Sequence, residues 1–162
     1  MAHSQQPRIL IVDSRASPQQ GSTITFDVEE GAINDFPAPQ VSYDSFTVTL
    51  KPPICGLRGV RLLYANIGNP EDNNVDLYWL LRISEFGISC RTSTASDGAT
   101  FVIPVNSAQG FRTLHRAESD FEAVALQQPA ADIHRLTVDL LLPGGVRPAI
   151  QEPWFFVLEL RY

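Results

Sequence analysis

Short runs in which apolar and polar residues alternate recur along the chain from Arg8 to Tyr162. An alternation with a period of two places one set of side chains on one face of an extended strand. At the C-terminus, Trp154, Phe156 and Leu158 share one face, and the residues between them share the other. A face of large apolar side chains must be covered by a second layer. The pattern therefore predicts a sheet protein whose last residues lie within the fold.

Turn signals rich in Gly, Pro, Asn and Ser separate these runs at intervals of about 8 to 12 residues, a spacing typical of an antiparallel β-sandwich or barrel. The predicted strands cover residues 8–14, 23–29, 44–51, 57–67, 75–83, 88–92, 100–105, 121–126, 133–142 and 154–162. Residues 108–127 are ambiguous, because they also fit one face of a helix. There we expect a loop with at most one helical turn, followed by a strand from Phe121.

Composition suggests a protein that is covered by neighbours. The 162 residues suffice for one domain with a single core. Charged residues make up 19% of the chain, against about 25% in typical soluble domains, and Lys51 is the only lysine. The net charge of −6 and the scattered arginines argue against direct nucleic-acid binding. No apolar run approaches the roughly 20 residues of a spanning helix, and residues 1–7 lack a signal-peptide core, so we expect no membrane insertion and a protein that is made and used in the cytoplasm.

Residue patterns typical of catalysis are missing from the sequence. It contains neither a Gly-x-Ser-x-Gly segment nor a P-loop, and its histidines are isolated. We therefore expect no enzymatic activity, no cofactor, no metal and no small-molecule substrate. Cys55 and Cys90 lack metal-ligand spacing and are expected to be reduced thiols. The acidic run 71–76 offers oxygen ligands for Ca²⁺ but lacks the spacing of an EF-hand, which favours a solvated turn.

Several segments occur in a characteristic order. The strand Ile9–Val12 ends in Asp-Ser-Arg, and the runs Ser45–Leu50 and Val60–Asn69 follow it. Phe101–Val105 and Leu136–Leu140 then precede a glycine turn and the apolar C-terminal run. In this order they resemble small jelly-roll minor-capsid and vertex proteins of double-stranded DNA viruses and phages, the adenovirus and PRD1-like lineage. The resemblance implies an all-β fold, an antiparallel β-sandwich built as an eight-stranded jelly roll, with an N-terminal arm over 1–21 that contains a short β segment and one domain over 22–162.

The resemblance also implies a virion structural protein. Such a minor capsid, vertex or cement subunit would act through contacts with copies of itself and with other capsid proteins. The alternative is a receptor-binding or carbohydrate-binding β-sandwich of a viral fibre or tail. The residues expected to bind partners are Arg8, Asp13, Arg15, Phe36, Pro37, Tyr43, Tyr78 and Leu80. Tyr78 and Leu80 belong to this set because they make the second face of their predicted strand apolar as well, which indicates either a central strand or a contact with a neighbour.

Overall fold

The computed structural model describes residues 8–16, 42–68, 78–87, 89–91, 98–104, 112–117, 123–126, 132–148, 150 and 152–162. Its strands are β1 (Ile9–Asp13), β2 (Ser45–Ile54), β3 (Gly59–Gly68), β4 (Tyr78–Ile83), β5 (Cys90–Arg91), β6 (Gly98–Ala99), β7 (Phe101–Pro104), β8 (Arg112–Arg116), β9 (Ala123–Ala125), β10 (Ile133–Leu141) and β11 (Phe155–Arg161). Two 3₁₀ turns, Ser14–Ala16 and Ser84–Phe86, follow β1 and β4. Over this described part, no helix is long and apolar enough to cross a membrane.

The strands form two layers. Sheet A has the order β1-β11-β3-β8, with β9 also paired to β3, and sheet B has the order β2-β10-β4-β7. Strands β5 and β6 form a separate two-stranded sheet. Every pairing is antiparallel. The prediction of an all-β antiparallel sandwich is therefore confirmed.

One apolar core lies between the two sheets, and the alternating pattern accounts for it. Along β11, Phe156, Leu158 and Leu160 are buried, while the residues between them are only partly covered. Sheet B contributes Phe46 and Trp79 from the other side, and both are fully buried. Large aromatic side chains therefore fill the space between the layers, as the period of two predicts.

Two predictions about the strands need correction. Strand β2 continues through Pro52 and Pro53 to Ile54, although we expected it to end at Pro52. Since β2 lies at the edge of sheet B, the missing proline N–H groups cost it no essential ladder bond. The loop or helical turn expected near Leu114 is wrong, because β8 occupies 112–116 and pairs with β3. The local sequence pattern of this segment is ambiguous, and its pairing with β3 explains why it forms a strand. The predicted strand 23–29 lies outside the described residues.

Strand β1 belongs to the sandwich. The sequence analysis assigned it to an N-terminal arm, but it pairs with β11 along its whole length. Val12 is buried in the core and Leu10 packs against the core. Strand β1 is therefore the outermost strand of sheet A.

Hydrogen bonds around Trp154 close one end of the sandwich. The indole N–H donates to the Tyr43 carbonyl at 2.7 Å, and the backbone N–H donates to the Ser14 hydroxyl at 2.9 Å. The Ser14 N–H in turn donates to the Trp154 carbonyl at 2.9 Å. The indole stacks on Phe156 and meets Phe46 edge-on, with ring centroids 5.5 Å apart in both pairs. These contacts join the end of β1, the start of β2 and the start of β11.

Two further polar clusters fix the loops of sheet B. The buried Thr100 hydroxyl donates to the Gly87 carbonyl and accepts the Ile83 N–H, at 2.9 Å in both bonds. Where β10 meets the start of β2, the Arg147 guanidinium lies 3.3 Å from the Asp44 carboxylate and 3.1 Å from that of Asp139. Burial acts to lower the pKa of Arg147, but these two carboxylates outweigh it and raise the pKa above its ordinary value.

Candidate interaction surface

The outward side of β1 is unusually apolar for an exposed strand. Ile9 and Ile11 are 50% and 66% exposed, although both are large hydrophobic residues. Their neighbours Leu10 and Val12 face the core. A few exposed apolar residues are normal on any surface, but two on one short strand make a row.

The row continues across the next two strands of sheet A. Ile11 lies opposite Val157 of β11, and Val157 lies opposite Tyr64 of β3. Residues directly opposite in antiparallel strands share a face. The Tyr64 ring also contacts the Phe155 ring, with centroids 5.7 Å apart. We use the name β1 face for five residues together: Ile9, Ile11, Tyr64, Phe155 and Val157.

The backbone of β1 is also open on this side. Arg8 accepts the Leu160 N–H at 2.7 Å, and Ser14 donates to Trp154, so the even-numbered residues of β1 bond to β11. Ladder bonds of an antiparallel pair alternate, which directs the N–H and C=O groups of Ile9 and Ile11 away from β11. Within the described residues, no strand pairs with that outer edge.

The other edges of the two sheets carry features that discourage pairing. Strand β2 has an exposed Lys51 followed by two prolines, and β7 ends at Pro104. The far edge of sheet A is divided between the short strands β8 and β9. Lysine, proline and short strands are the usual protections of a sheet edge. Strand β1 is as short as β8, but in the part of the chain that the structure describes it carries neither lysine nor proline, and this marks its edge as a candidate interaction surface.

Charged groups lie at both ends of the β1 face. Arg15 binds the Asp13 carboxylate through two nitrogens, and these hydrogen bonds hold the pKa of Asp13 below its ordinary value. At the other end, beside Arg8, the Glu159 carboxylate lies 3.2 Å from Arg61 and 3.1 Å from Arg161. The apolar centre of the face is therefore bounded by ionic groups.

The described residues carry more positive than negative charge. All twelve Lys and Arg residues lie in the described part, with seven of the eighteen Asp and Glu residues. That part carries five more basic than acidic residues, and the remaining segments hold eleven acidic residues and no Lys or Arg. Arginines that are scattered in sequence, Arg8, Arg58, Arg61 and Arg161, come together at one end of sheet A.

Six of the eight predicted partner residues fall into three groups. Arg8, Asp13 and Arg15 lie on or beside β1, at the ends of the β1 face. Tyr43 is half-buried and packs against the core, and its carbonyl is used by Trp154. Phe36 and Pro37 lie outside the described residues, as does the acidic run 71–76.

The placement of Leu80 corrects the sequence analysis. Its side chain points away from the main core, as predicted, but it is only 1% exposed. Ala99 of β6 and Leu141 of β10 cover it, and Tyr78 packs at the border of this small cluster as a half-buried residue. The chain itself thus covers the second apolar face of β4, so Leu80 is not available to a partner. The sequence could not show this, because the cover comes from a distant strand.

Sequence reasoning missed Ile9 and Ile11 as surface residues. The segment Ile9–Val12 is apolar at every position, so its composition does not tell which side faces water. The pairing with β11 decides this, since it turns Leu10 and Val12 inward. A uniformly apolar strand at a sheet edge was the available signal.

The described residues offer little evidence of a metal site or a reactive side chain. No group of three or more His, Cys, Asp or Glu among them could hold a metal ion. Cys55 is a half-buried thiol, and its pKa is raised above the ordinary value by a hydrogen bond with Asp132 and by burial. A raised pKa disfavours the reactive thiolate.

No protein-family model matches the sequence, and a comparison with curated proteins finds no significant match.

Proposed function

We propose that this chain is a structural subunit of a virion, a minor capsid, vertex or cement component made in the host cytoplasm, and that it acts through contacts with other subunits. The observation that carries the proposal is the outer edge of β1, with which no strand among the described residues pairs and on which Ile9 and Ile11 are exposed. A rigid sandwich with one unprotected edge suits a protein that is completed by its neighbours.

The strand order supports a jelly roll, the architecture that the resemblance implies. Strands β8 and β9 share one side of β3 and count as one, and the small sheet of β5 and β6 is set aside. Of the eight strands that remain, the first pairs with the last, the second with the seventh, the third with the sixth and the fourth with the fifth. This is the order of a long hairpin rolled into two sheets, and it is used by viral capsid domains and by lectins.

The same architecture leaves a glycan-binding or receptor-binding protein of a fibre or tail as the alternative. Sugar recognition of that kind uses exposed aromatic rings beside polar groups. Both tryptophans of the chain are buried, Trp79 at 0% and Trp154 at 1% exposure. The tryptophans thus offer no stacking platform, which favours the structural function.

Assembly of the purified full-length chain tests the proposal. Light scattering coupled to size-exclusion chromatography, followed by negative-stain electron microscopy, should show closed oligomers or binding to shell particles. A glycan array run in parallel should show no specific binding. A chain that stays monomeric, ignores capsid proteins and binds a defined glycan would refute the structural function and establish the alternative.

A further inference from the structure

Four arginines lie together at the end of sheet A where β1 and β3 begin and β11 finishes. The Arg8 carbonyl accepts a backbone N–H of β11, and the Arg58 N–H donates to the Arg161 carbonyl, so these three residues lie on or next to neighbouring strands. Adjacent strands are about 4.8 Å apart, and the three Cα atoms therefore span only about 10 Å. Arg61 follows two residues into β3. We use the name basic end for Arg8, Arg58, Arg61 and Arg161.

Positive side chains outnumber negative ones at the basic end. The Glu159 carboxylate lies opposite Arg61 on the neighbouring strand, 3.2 Å from its guanidinium, and 3.1 Å from that of Arg161. One carboxylate is thus shared by two arginines. Among the described side chains, Asp132 is a second acidic group at this end of the sandwich, and it forms a hydrogen bond with Cys55. With both acidic residues counted, the four arginines still leave an excess of two positive charges.

We propose that the basic end binds a short acidic segment of another shell subunit, whose carboxylates pair with its guanidinium groups. This inference rests on the proposed function and gives the chemistry of the partner. Arginine presents a planar set of N–H donors that matches a carboxylate. Arg161 already donates two hydrogen bonds to Glu159, at 3.2 and 3.1 Å, so the basic end itself contains such a pairing. Arg8 and Arg58 are exposed, and their backbone groups hold them in the sheet, which leaves their side chains within reach of a partner.

Two observations favour the carboxylates of a protein over the phosphates of a nucleic acid. Glu159 lies among the arginines and repels any anion placed beside it. A peptide can space its acidic residues to avoid this carboxylate, whereas phosphates follow one another at every nucleotide. The net charge of −6 also opposes a long polyanion, which extends far beyond the basic end. A short acidic segment meets mainly the charges within about 10 Å, because salt screens the others.

Fluorescence anisotropy of a labelled deca-glutamate peptide, titrated with the full-length chain at low salt, tests the proposal. We expect saturable binding that weakens as salt is added. Arg8→Gln combined with Arg58→Gln should raise the dissociation constant about fivefold, because two exposed charge pairs are lost. The backbone bonds of both residues remain, so circular dichroism should stay that of the wild type. The matched control is Arg15→Gln combined with Arg135→Gln, which removes the same charge from exposed positions at the other end of β1 and on sheet B, and it should change the affinity by less than about twofold.

A second variant should act in the opposite direction. Glu159→Gln removes the carboxylate that Arg61 and Arg161 share, so both guanidinium groups can turn to the peptide. Binding of deca-glutamate should then tighten by about threefold. Weaker binding in Glu159→Gln would contradict the pairing of these arginines with carboxylates of a partner.

Three other results would overturn the proposal: a wild-type chain that does not bind deca-glutamate, equal weakening by the two double variants, or tighter binding of a ten-nucleotide oligothymidylate that depends on Arg8 and Arg58. The last result would assign the basic end to nucleic acid.

The proposed function fails in a different way. Assemblies or binding to shell particles that persist in Arg8→Gln combined with Arg58→Gln would leave the structural function standing and remove the acidic partner of the basic end. A chain that binds deca-glutamate through these arginines but neither assembles nor binds shell particles would remove the structural function alone.

Discussion

Replacing Ser14 by alanine should destabilise the closed end of the sandwich. The Ser14 side chain is fully buried, and its hydroxyl accepts the Trp154 backbone N–H at 2.9 Å. Trp154 is itself only 1% exposed. In Ser14→Ala the N–H keeps its buried position and loses this acceptor, while the packing changes by one oxygen atom.

The magnitude follows from the buried donor. A backbone N–H left without an acceptor costs about 1–3 kcal/mol. For a chain of this size, 1 kcal/mol corresponds to a shift of roughly 2–4 °C in the melting temperature. A cost of about 2 kcal/mol therefore predicts a melting temperature about 4–8 °C lower.

Urea unfolding followed by tryptophan fluorescence measures the effect, because Trp154 lies at the site. The midpoint should fall with an unchanged slope, as expected when stability alone changes. Ser84→Ala is the matched control: it removes the same hydroxyl from an exposed position and should change the free energy of unfolding by less than about 0.5 kcal/mol. Equal effects of the two substitutions would refute the role assigned to Ser14.

Three further outcomes follow from other contacts. Thr100→Val should lower the free energy of unfolding in urea by about 1–3 kcal/mol, because a buried backbone N–H of β4 loses its hydroxyl acceptor; no change would contradict this. Arg147→Gln should cost about 1 kcal/mol by calorimetry, because two part-buried carboxylates lose their shared cation, and a stabilised variant would show that the pair is not needed. Asp132→Ala should lower the pKa of Cys55 and so speed its alkylation by iodoacetamide at pH 8, measured on the Cys55 peptide by mass spectrometry; an unchanged rate would exclude the hydrogen bond as the cause.

The periodic pattern alone predicted the strands whose two faces differ. Strand β11 alternates between core and surface, and the covering layer that its apolar face requires is present as sheet B. The same reasoning found β10, because Leu136, Val138 and Leu140 alternate with polar residues and are buried. Such strands carry the signal for their orientation within their own sequence.

Strands whose faces are alike needed the tertiary structure. Strand β4 is apolar on both sides, and only the presence of Ala99 and Leu141 shows that Leu80 is covered. Strand β8 is defined by its pairing with β3, which no local window contains. Pairing between distant segments depends on topology, and topology is not encoded in a period of two.

The candidate surface shows the same limit for charge. A net charge of −6 suggests a surface that attracts basic partners. However, arginines on or next to β1, β3 and β11 lie together at the end of sheet A beside Arg8. Electrostatic attraction between proteins falls off within roughly 10 Å in physiological salt, so a partner at the β1 face meets the local charges and not the total. An acidic chain can therefore present a basic docking end.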